Sequence, residues 1–156
     1  MRLGKKIVIL LPVAFAAIQF IQPARNKSGQ VMPTDISNTL NIPPLVDTLL
    51  KTSCYDCHSN NTNYPWYANL QPLGWILNKH ILKAKMELNF SDFGSYSSRR
   101  QRSKLKSIAS QVNDNTMPLA SYTWLHKNSK FSKEAKALIN DWALKSIETI
   151  ATGNKK

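Results

Sequence analysis

A CxxCH pentapeptide, Cys54-Tyr55-Asp56-Cys57-His58, stands in the first half of a 156-residue chain that has no other cysteine. Two thiols three residues apart can each add to one vinyl group of a porphyrin, and the adjacent histidine then lies beneath the iron. The motif therefore predicts one covalently attached haem c, held by thioethers from Cys54 and Cys57. His58 is predicted to be the proximal iron ligand.

Two other interpretations of a CxxC pair were weighed against the haem. A redox-active disulfide normally lies between a strand and a helix, and no alternation of strands and helices surrounds this motif. A zinc site needs four ligands, but only His80 and His126 remain as good candidates, and neither has the spacing of a zinc finger. Neither alternative explains the histidine that directly follows the second cysteine.

The N-terminus carries the pattern of an export signal. An apolar run over residues 7–21 follows the cations Arg2, Lys5 and Lys6. The run is shorter than the roughly 20 residues of a relaxed membrane span, and its small-x-small cleavage pattern, at residues 14–16, lies inside it. Residues 1–22 are therefore predicted to be a membrane anchor or a cleaved signal peptide. The protein is expected at the periplasmic side of the inner membrane, or free in the periplasm after cleavage.

The rest of the chain has the size of one domain and the pattern of an all-α fold. Residues 23–41, rich in Pro, Asn, Ser and Thr, are predicted to be a linker, and residues 42–152 to form the haem-binding domain. Apolar residues recur every three or four positions over residues 73–88 and 98–112 and in a last helix capped by Ser132. The sequence predicts a small, cytochrome c-like helical domain around one haem.

The second axial ligand separates an electron carrier from a haem with an open position. Met117 is the first candidate, because it lies in the polar loop 113–125 beside a proline and away from any helical stripe. A methionine ligand raises the reduction potential relative to a second histidine. His80 is the alternative, since it shares a helix face with Ile76. His126 and an open site remain further options.

Aromatic residues are concentrated after the motif and are predicted to wall a porphyrin pocket. Tyr64, Trp66 and Trp75 are the candidates for this role, while ordinary core packing is the alternative.

The chain is strongly basic, with a formal net charge of +12 at pH 7. Eight cations lie between residues 79 and 106, opposed there only by Glu87 and Asp92. Such a face suits an acidic redox partner protein, a membrane-bound oxidoreductase or anionic lipid, and it is also compatible with an ordinary solvated surface. No nucleic-acid partner is expected, because the protein is predicted to be exported.

With these motifs in order, the chain resembles the small bacterial haem-binding domain family, exported proteins built around one CxxCH. The resemblance covers roughly residues 43–150 and rests on residues 54–60, Tyr64-Pro65-Trp66-Tyr67, Trp75, His80, Leu88-Asn89-Phe90-Ser91, Met117-Pro118-Leu119, Tyr122, Leu125-His126 and Asp141-Trp142. It implies covalent haem, an α-helical fold and a periplasmic or membrane-facing location. It implies no particular reaction.

Two functions follow from these expectations. The first is a single-haem electron carrier, and not an enzyme, with the iron held by His58 and Met117. The second is a haem enzyme or a gas or redox sensor, peroxidase-like, with an open or displaceable sixth ligand. The carrier is favoured because no His and Arg pair appears at a spacing suited to distal acid–base catalysis.

Overall fold

The computed structural model describes residues 2–153, with side chains from residue 7 onward, so the side chains of Arg2, Lys5 and Lys6 lie outside the described part. Eight α-helices follow one another in this part of the chain, together with three short 3-10 helices at Trp66–Asn69, Phe90–Ser95 and Lys127–Ser129. The α-helices are α1 (Arg2–Ile18), α2 (Ile36–Thr39), α3 (Pro44–Ser53), α4 (Tyr55–His58), α5 (Leu73–Glu87), α6 (Ser98–Asn113), α7 (Ala120–Leu125) and α8 (Lys133–Ala151).

The predicted all-α fold is confirmed. Within residues 2–153 the only β-type pairing is an isolated antiparallel bridge between Lys27 and Asn61. The predicted N-cap of the last helix is also present, since the Ser132 hydroxyl accepts a hydrogen bond from the Ala135 N–H at 3.2 Å. Among the described helices, none is both long enough and apolar enough to cross a membrane.

The main core lies where α6 packs against α8, with α3 also packed against α8. Both long helices contribute the apolar stripes that their sequences predict, and the segment Phe90–Ser95 adds two buried phenylalanines. The largest contributors are Val46, Leu50, Phe90, Phe93, Leu105, Ile108, Val112, Ile139, Trp142 and Ile150. The Trp142 indole N–H donates to the Asn41 carbonyl at 3.2 Å, which joins the last helix to the start of the domain.

The segment 23–41 differs from the predicted linker, because its second half is part of the core. Ile36 and Leu40 are buried, and the Asp35 carboxylate accepts hydrogen bonds from the Ser37 N–H and the Tyr55 hydroxyl. Helix α2 approaches the segment Phe90–Ser95 so closely that a Cβ on Gly94 would lie 2.7 Å from Thr39 Oγ1. The predicted boundary at residue 42 therefore passes through the packed domain.

Helix α5 buries the C-terminal part of the stripe that its apolar periodicity indicates, but not the first part. Gly74 and Ile81 are buried, whereas Leu73 and Ile76 are 45% and 51% exposed. A Cβ on Gly74 would lie only 2.4 Å from the Ala68 carbonyl oxygen, so this helix face needs a glycine for close packing. Leu73 and Ile76 are therefore left on the outer surface, as are Leu82 and Met86 further along the helix.

Replacing Phe93 by alanine should lower the free energy of unfolding by about 3–5 kcal/mol, because the ring is completely buried and its removal leaves a cavity. Leu144→Ala is the matched control, since Leu144 is 54% exposed on α8 and should change stability by about 0.5 kcal/mol or less. Urea unfolding followed by far-ultraviolet circular dichroism measures both. Equal losses for the two variants would contradict the proposed core.

Candidate haem-binding site

The CxxCH motif lies at a corner between α3 and α4. The Cys54 N–H closes the last turn of α3 on the Leu50 carbonyl at 2.8 Å, and the Cys54 carbonyl accepts from the His58 N–H at 2.9 Å. One helical turn therefore separates Cys54 from His58, which brings both side chains to the same face of α4.

Tyr55 and Asp56, the two residues between the cysteines, connect the motif to other segments of the chain. The Tyr55 ring stacks on Phe90 with centroids 5.0 Å apart. The Asp56 carboxylate accepts from the Tyr122 hydroxyl at 2.8 Å and from the Asn63 N–H at 3.0 Å. Desolvation by burial and the hydrogen bond to Asp56 raise the pKa of Tyr122, so its hydroxyl stays protonated and donates. These contacts anchor the short helix α4.

A cavity of about 530 Å³ opens beside the motif, within the size range of small-molecule and cofactor sites. Cys54 and His58 line it from α4, and Met117 lines it from the loop after α6. Apolar side chains from Leu88, Phe90, Ile108, Val112 and Leu119 complete much of its wall. The cavity thus combines a largely apolar wall with sulfur and imidazole groups.

His58 is oriented by a hydrogen bond to the backbone. Its Nδ1 lies 2.9 Å from the Leu88 carbonyl oxygen, and because a carbonyl only accepts, Nδ1 must carry the proton. Burial lowers the pKa of His58, although the Leu88 and Ala84 carbonyls act in the opposite direction. The ring is therefore neutral at pH 7 with the Nε2 lone pair free. Histidines that bind metals typically have this arrangement, with the second ring nitrogen donating to a carbonyl or carboxylate.

Both cysteines are free thiols in partly buried positions. Burial, aided by the neighbouring Cys57, raises the pKa of Cys54 to about 12, and burial together with Asp56 raises that of Cys57 to about 11. Redox-active CxxC pairs have lowered thiol pKa values. The raised pKa values of Cys54 and Cys57 therefore disfavour a centre for dithiol exchange. Cys54 lines the cavity, whereas Cys57 lies outside the set of lining residues that the described chain provides.

The position of Met117 follows from how α6 ends. Asn115 has a left-handed backbone with φ of 57°, and the Thr116 and Asn115 N–H groups donate to the Gln111 and Val112 carbonyls. This is a Schellman cap, which asparagine tolerates in place of glycine. The Met117 N–H also donates to Gln111 at 3.1 Å. The cap turns the chain back over the end of α6 and brings Met117 to the cavity wall.

Polar groups lie among the lining residues on α5 and α6. His80 is exposed on α5, and the Lys104 side chain, 22% exposed, has its Nζ 3.8 Å from Glu87 Oε2. Lys83 also lines the cavity, and the Ser53 hydroxyl has no hydrogen-bond partner among the described residues. Sequence analysis did not single out Lys104 as a site residue. Its spacing of four from the buried Ile108 on one face of α6 is the signal that could have identified it.

The aromatic residues predicted to wall the pocket lie elsewhere. None of Tyr64, Trp66 and Trp75 belongs to the cavity lining that the described residues form. The Tyr64 hydroxyl accepts from the Asn26 N–H at 2.8 Å, the Trp75 indole donates to the Ile21 carbonyl at 2.8 Å, and Trp66 is exposed. Tyr64 and Trp75 instead contact the segment that precedes the domain. The physical reason is that this segment is packed rather than free, so the polar groups of the two rings bond to its backbone.

His126, the other histidine considered for the iron, also lies outside the cavity lining provided by residues 2–153. Its ring stacks on Tyr122 with centroids 4.2 Å apart, and its Nδ1 lies 3.1 Å from the Tyr122 carbonyl. The structure thus brings Cys54, His58, Met117 and His80 to one cavity. Their roles as ligands stay predictions.

The donor set suits haem. A neutral imidazole with a free Nε2, a thioether and a thiol line one largely apolar cavity, and lysines lie where carboxylate propionates could pair with them. Fold and site together define an all-helical haem-binding protein. The family model described as the haem-binding domain matches residues 13–145, and the chain belongs to that family. Searches of the curated proteins and of the solved structures find no match to this chain.

Proposed function

We propose that the protein binds one haem c covalently and acts as a single-haem electron carrier in the periplasm or at the periplasmic side of the membrane. Cys54 and Cys57 would form the thioethers, His58 the proximal iron bond and Met117 the distal one. The observation that carries the proposal is that His58 and Met117 line the same cavity as Cys54.

Each residue of the site has a distinct task in this proposal. The bound haem supplies one-electron chemistry at its iron. The Leu88 carbonyl fixes the His58 ring and keeps its proton on Nδ1. The apolar wall of the cavity keeps water from its interior through Leu88, Phe90, Ile108 and Val112. The resulting low local dielectric favours the less charged redox state of the haem. Lys104 offers a positive charge to a propionate.

The location and the partner are part of the same proposal. The apolar α1 would hold the protein at the membrane, and a basic face would receive an acidic redox partner protein or a membrane-bound oxidoreductase. Arg99, Arg100 and Lys106 are exposed on α6, the same helix whose Lys104 lines the cavity. Complementary charge at this position would speed the encounter and orient the partner toward the site.

A haem enzyme or sensor is the second candidate, and one observation favours it. His80 is an exposed, titratable side chain among the residues that line the cavity. A distal histidine of this kind can bind a sixth position reversibly or move protons there, as a peroxidase-like or gas-sensing site requires.

The absorption spectrum with and without carbon monoxide distinguishes the two candidates. The full chain, expressed together with a haem-attachment system, is expected to show a low-spin spectrum in both redox states, and carbon monoxide should leave the ferrous spectrum unchanged. That result follows if two protein ligands saturate the iron. A high-spin spectrum that shifts on adding the gas would favour the enzyme or sensor instead.

A further inference from the structure

The end of the apolar N-terminal helix is bonded to the domain by three glutamines, here called the glutamine clasp. The Gln71 N–H donates to Gln19 Oε1 at 2.9 Å, and Gln19 Nε2 donates back to the Gln71 carbonyl at 3.2 Å. The Gln71 amide in turn donates to Gln22 Oε1 at 2.8 Å. Gln71 is completely buried. Reciprocal hydrogen bonds to a buried residue hold the two chain segments together, because breaking them would leave polar groups of the buried Gln71 without a partner.

Further contacts attach the same segment to the start of α5. Gln22 Nε2 donates to the Asn69 carbonyl at 3.1 Å, and the Trp75 indole N–H donates to the Ile21 carbonyl at 2.8 Å. Gln71 Oε1 also accepts from the Trp75 N–H at 3.0 Å, so the clasp caps the first turn of α5. The residues that follow α1 are therefore a built part of the domain surface.

Large apolar side chains surround the clasp on the outside. We call them the apolar collar: Phe20, Ile21, Leu70, Leu73 and Ile76. Phe20 is 89% exposed, and the others are between 37% and 62% exposed. The collar is continuous along the chain with α1, whose residues from Ile7 to Phe15 are exposed and almost all apolar. A contiguous exposed patch of this kind marks an interaction site.

The stretches of sequence that contribute the collar carry only positive charges among their acidic and basic residues. Residues 1–34 and 57–86 contain no Asp or Glu at all. Lys79 and Lys83 continue the exposed face of α5 that begins with Leu73 and Ile76, and both lysines are exposed. Apolar side chains followed by lysines on one helix face suit an interface in which the apolar groups reach the acyl chains and the cations meet anionic headgroups.

We infer that the apolar collar docks on an anionic lipid surface together with α1, and that the glutamine clasp sets the orientation of the domain on that surface. The inference rests on the membrane location proposed above and not on the haem. Lys83 lines the haem cavity and lies seven residues beyond Ile76, about 10 Å further along the helix. The docked domain thus holds its cavity close to the membrane, within reach of a membrane-bound redox partner.

Depth measurement with a nitroxide label tests the docking. A cysteine is introduced at Leu73, in the collar, or at Thr149, on the exposed side of α8, and the full chain is bound to vesicles of phosphatidylglycerol and phosphatidylcholine. The label at position 73 is expected to collide more with oxygen than with a water-soluble nickel complex, and the label at 149 should show the opposite. Labels in water at both positions would overturn the inference.

The labelling also separates this inference from the haem proposal. Covalent haem consumes Cys54 and Cys57, so mass spectrometry should find a single nitroxide per chain. A chain that takes up three labels would refute covalent haem, and the depth at position 73 would then be measured with Cys54→Ala and Cys57→Ala, where the docking is still expected. A haem-loaded chain that does not bind the vesicles would overturn the docking alone.

The clasp is tested by Gln19→Ala with Gln22→Ala in the Leu73→Cys background. Vesicle binding should persist through α1, while the label at 73 should become several-fold more accessible to the nickel complex because the domain is no longer held in one orientation. Gln30→Ala is the control, since Gln30 is exposed and its side chain makes no hydrogen bond within residues 2–153. An unchanged depth in the double variant would overturn the orienting role of the clasp.

Discussion

Replacing Cys54 and Cys57 together by alanine is expected to abolish covalent haem completely, because the chain then has no thiol that can add to a vinyl group. The polypeptide should lose its haem stain after denaturing electrophoresis, and acid–acetone extraction should remove all of its haem. The wild-type chain should keep the haem through both treatments. His58 and the other residues that line the cavity are unchanged in this variant, so a dissociable haem is still expected to bind before denaturation.

Ser53→Ala is the matched control for the cysteine variant. Ser53 lines the same cavity next to Cys54, and its hydroxyl has no hydrogen-bond partner among the described residues, so its loss should be tolerated. This control should retain covalent haem at the wild-type level. Haem that stays on the double-alanine chain after extraction would show that the attachment site is wrong.

Replacing Met117 by alanine is expected to open the sixth coordination position. The ferric protein should lose the weak red absorption band of a methionine-bound haem, and the ferrous protein should now bind carbon monoxide. The reduction potential should fall, since thioether ligation favours the reduced iron. Absorption spectroscopy and a redox titration measure all three changes on one preparation.

Met86→Ala is the control for this prediction, because Met86 is 73% exposed on α5 and lies outside the cavity lining defined by the described residues. Its spectrum and potential should equal those of the wild type. An unchanged spectrum in the Met117 variant would contradict the ligand assignment. If His80→Ala then produced the opened site, the sixth ligand would be His80.

The bounds of α5 and α6 could be predicted from the sequence to within a residue, whereas α7 (Ala120–Leu125) forms inside the predicted loop 113–125. Proline at the start of α3 and Ser132 before α8 mark helix starts through local chemistry, and the apolar spacing of residues 105–112 marks the buried face of α6. Such signals act within one or two turns of chain. They need no knowledge of what packs against the helix.

The sequence could not show in the same way which residues near the site are buried in the core. Phe90 and Phe93 lie in a 3-10 segment that has no regular periodicity, yet both are buried. Leu73 and Ile76 have helical spacing, yet both are exposed, because Gly74 and Trp75 face the neighbouring segments instead. Apolar periodicity shows that a helix has an apolar face, but the segments that pack against the helix decide which of its residues are buried.

The sequence by itself determined the helical class of this protein and the thiol and imidazole groups that its CxxCH motif offers to a haem, because helix caps, apolar spacing and thiol spacing are local properties. Tertiary structure alone decided that Met117 shares a cavity with His58, that a carbonyl from Leu88 orients the imidazole, and that Gln71 clasps the end of the N-terminal helix. These contacts join residues between 30 and 59 positions apart, and only the packing of the whole chain brings such distant groups within hydrogen-bonding or cavity distance.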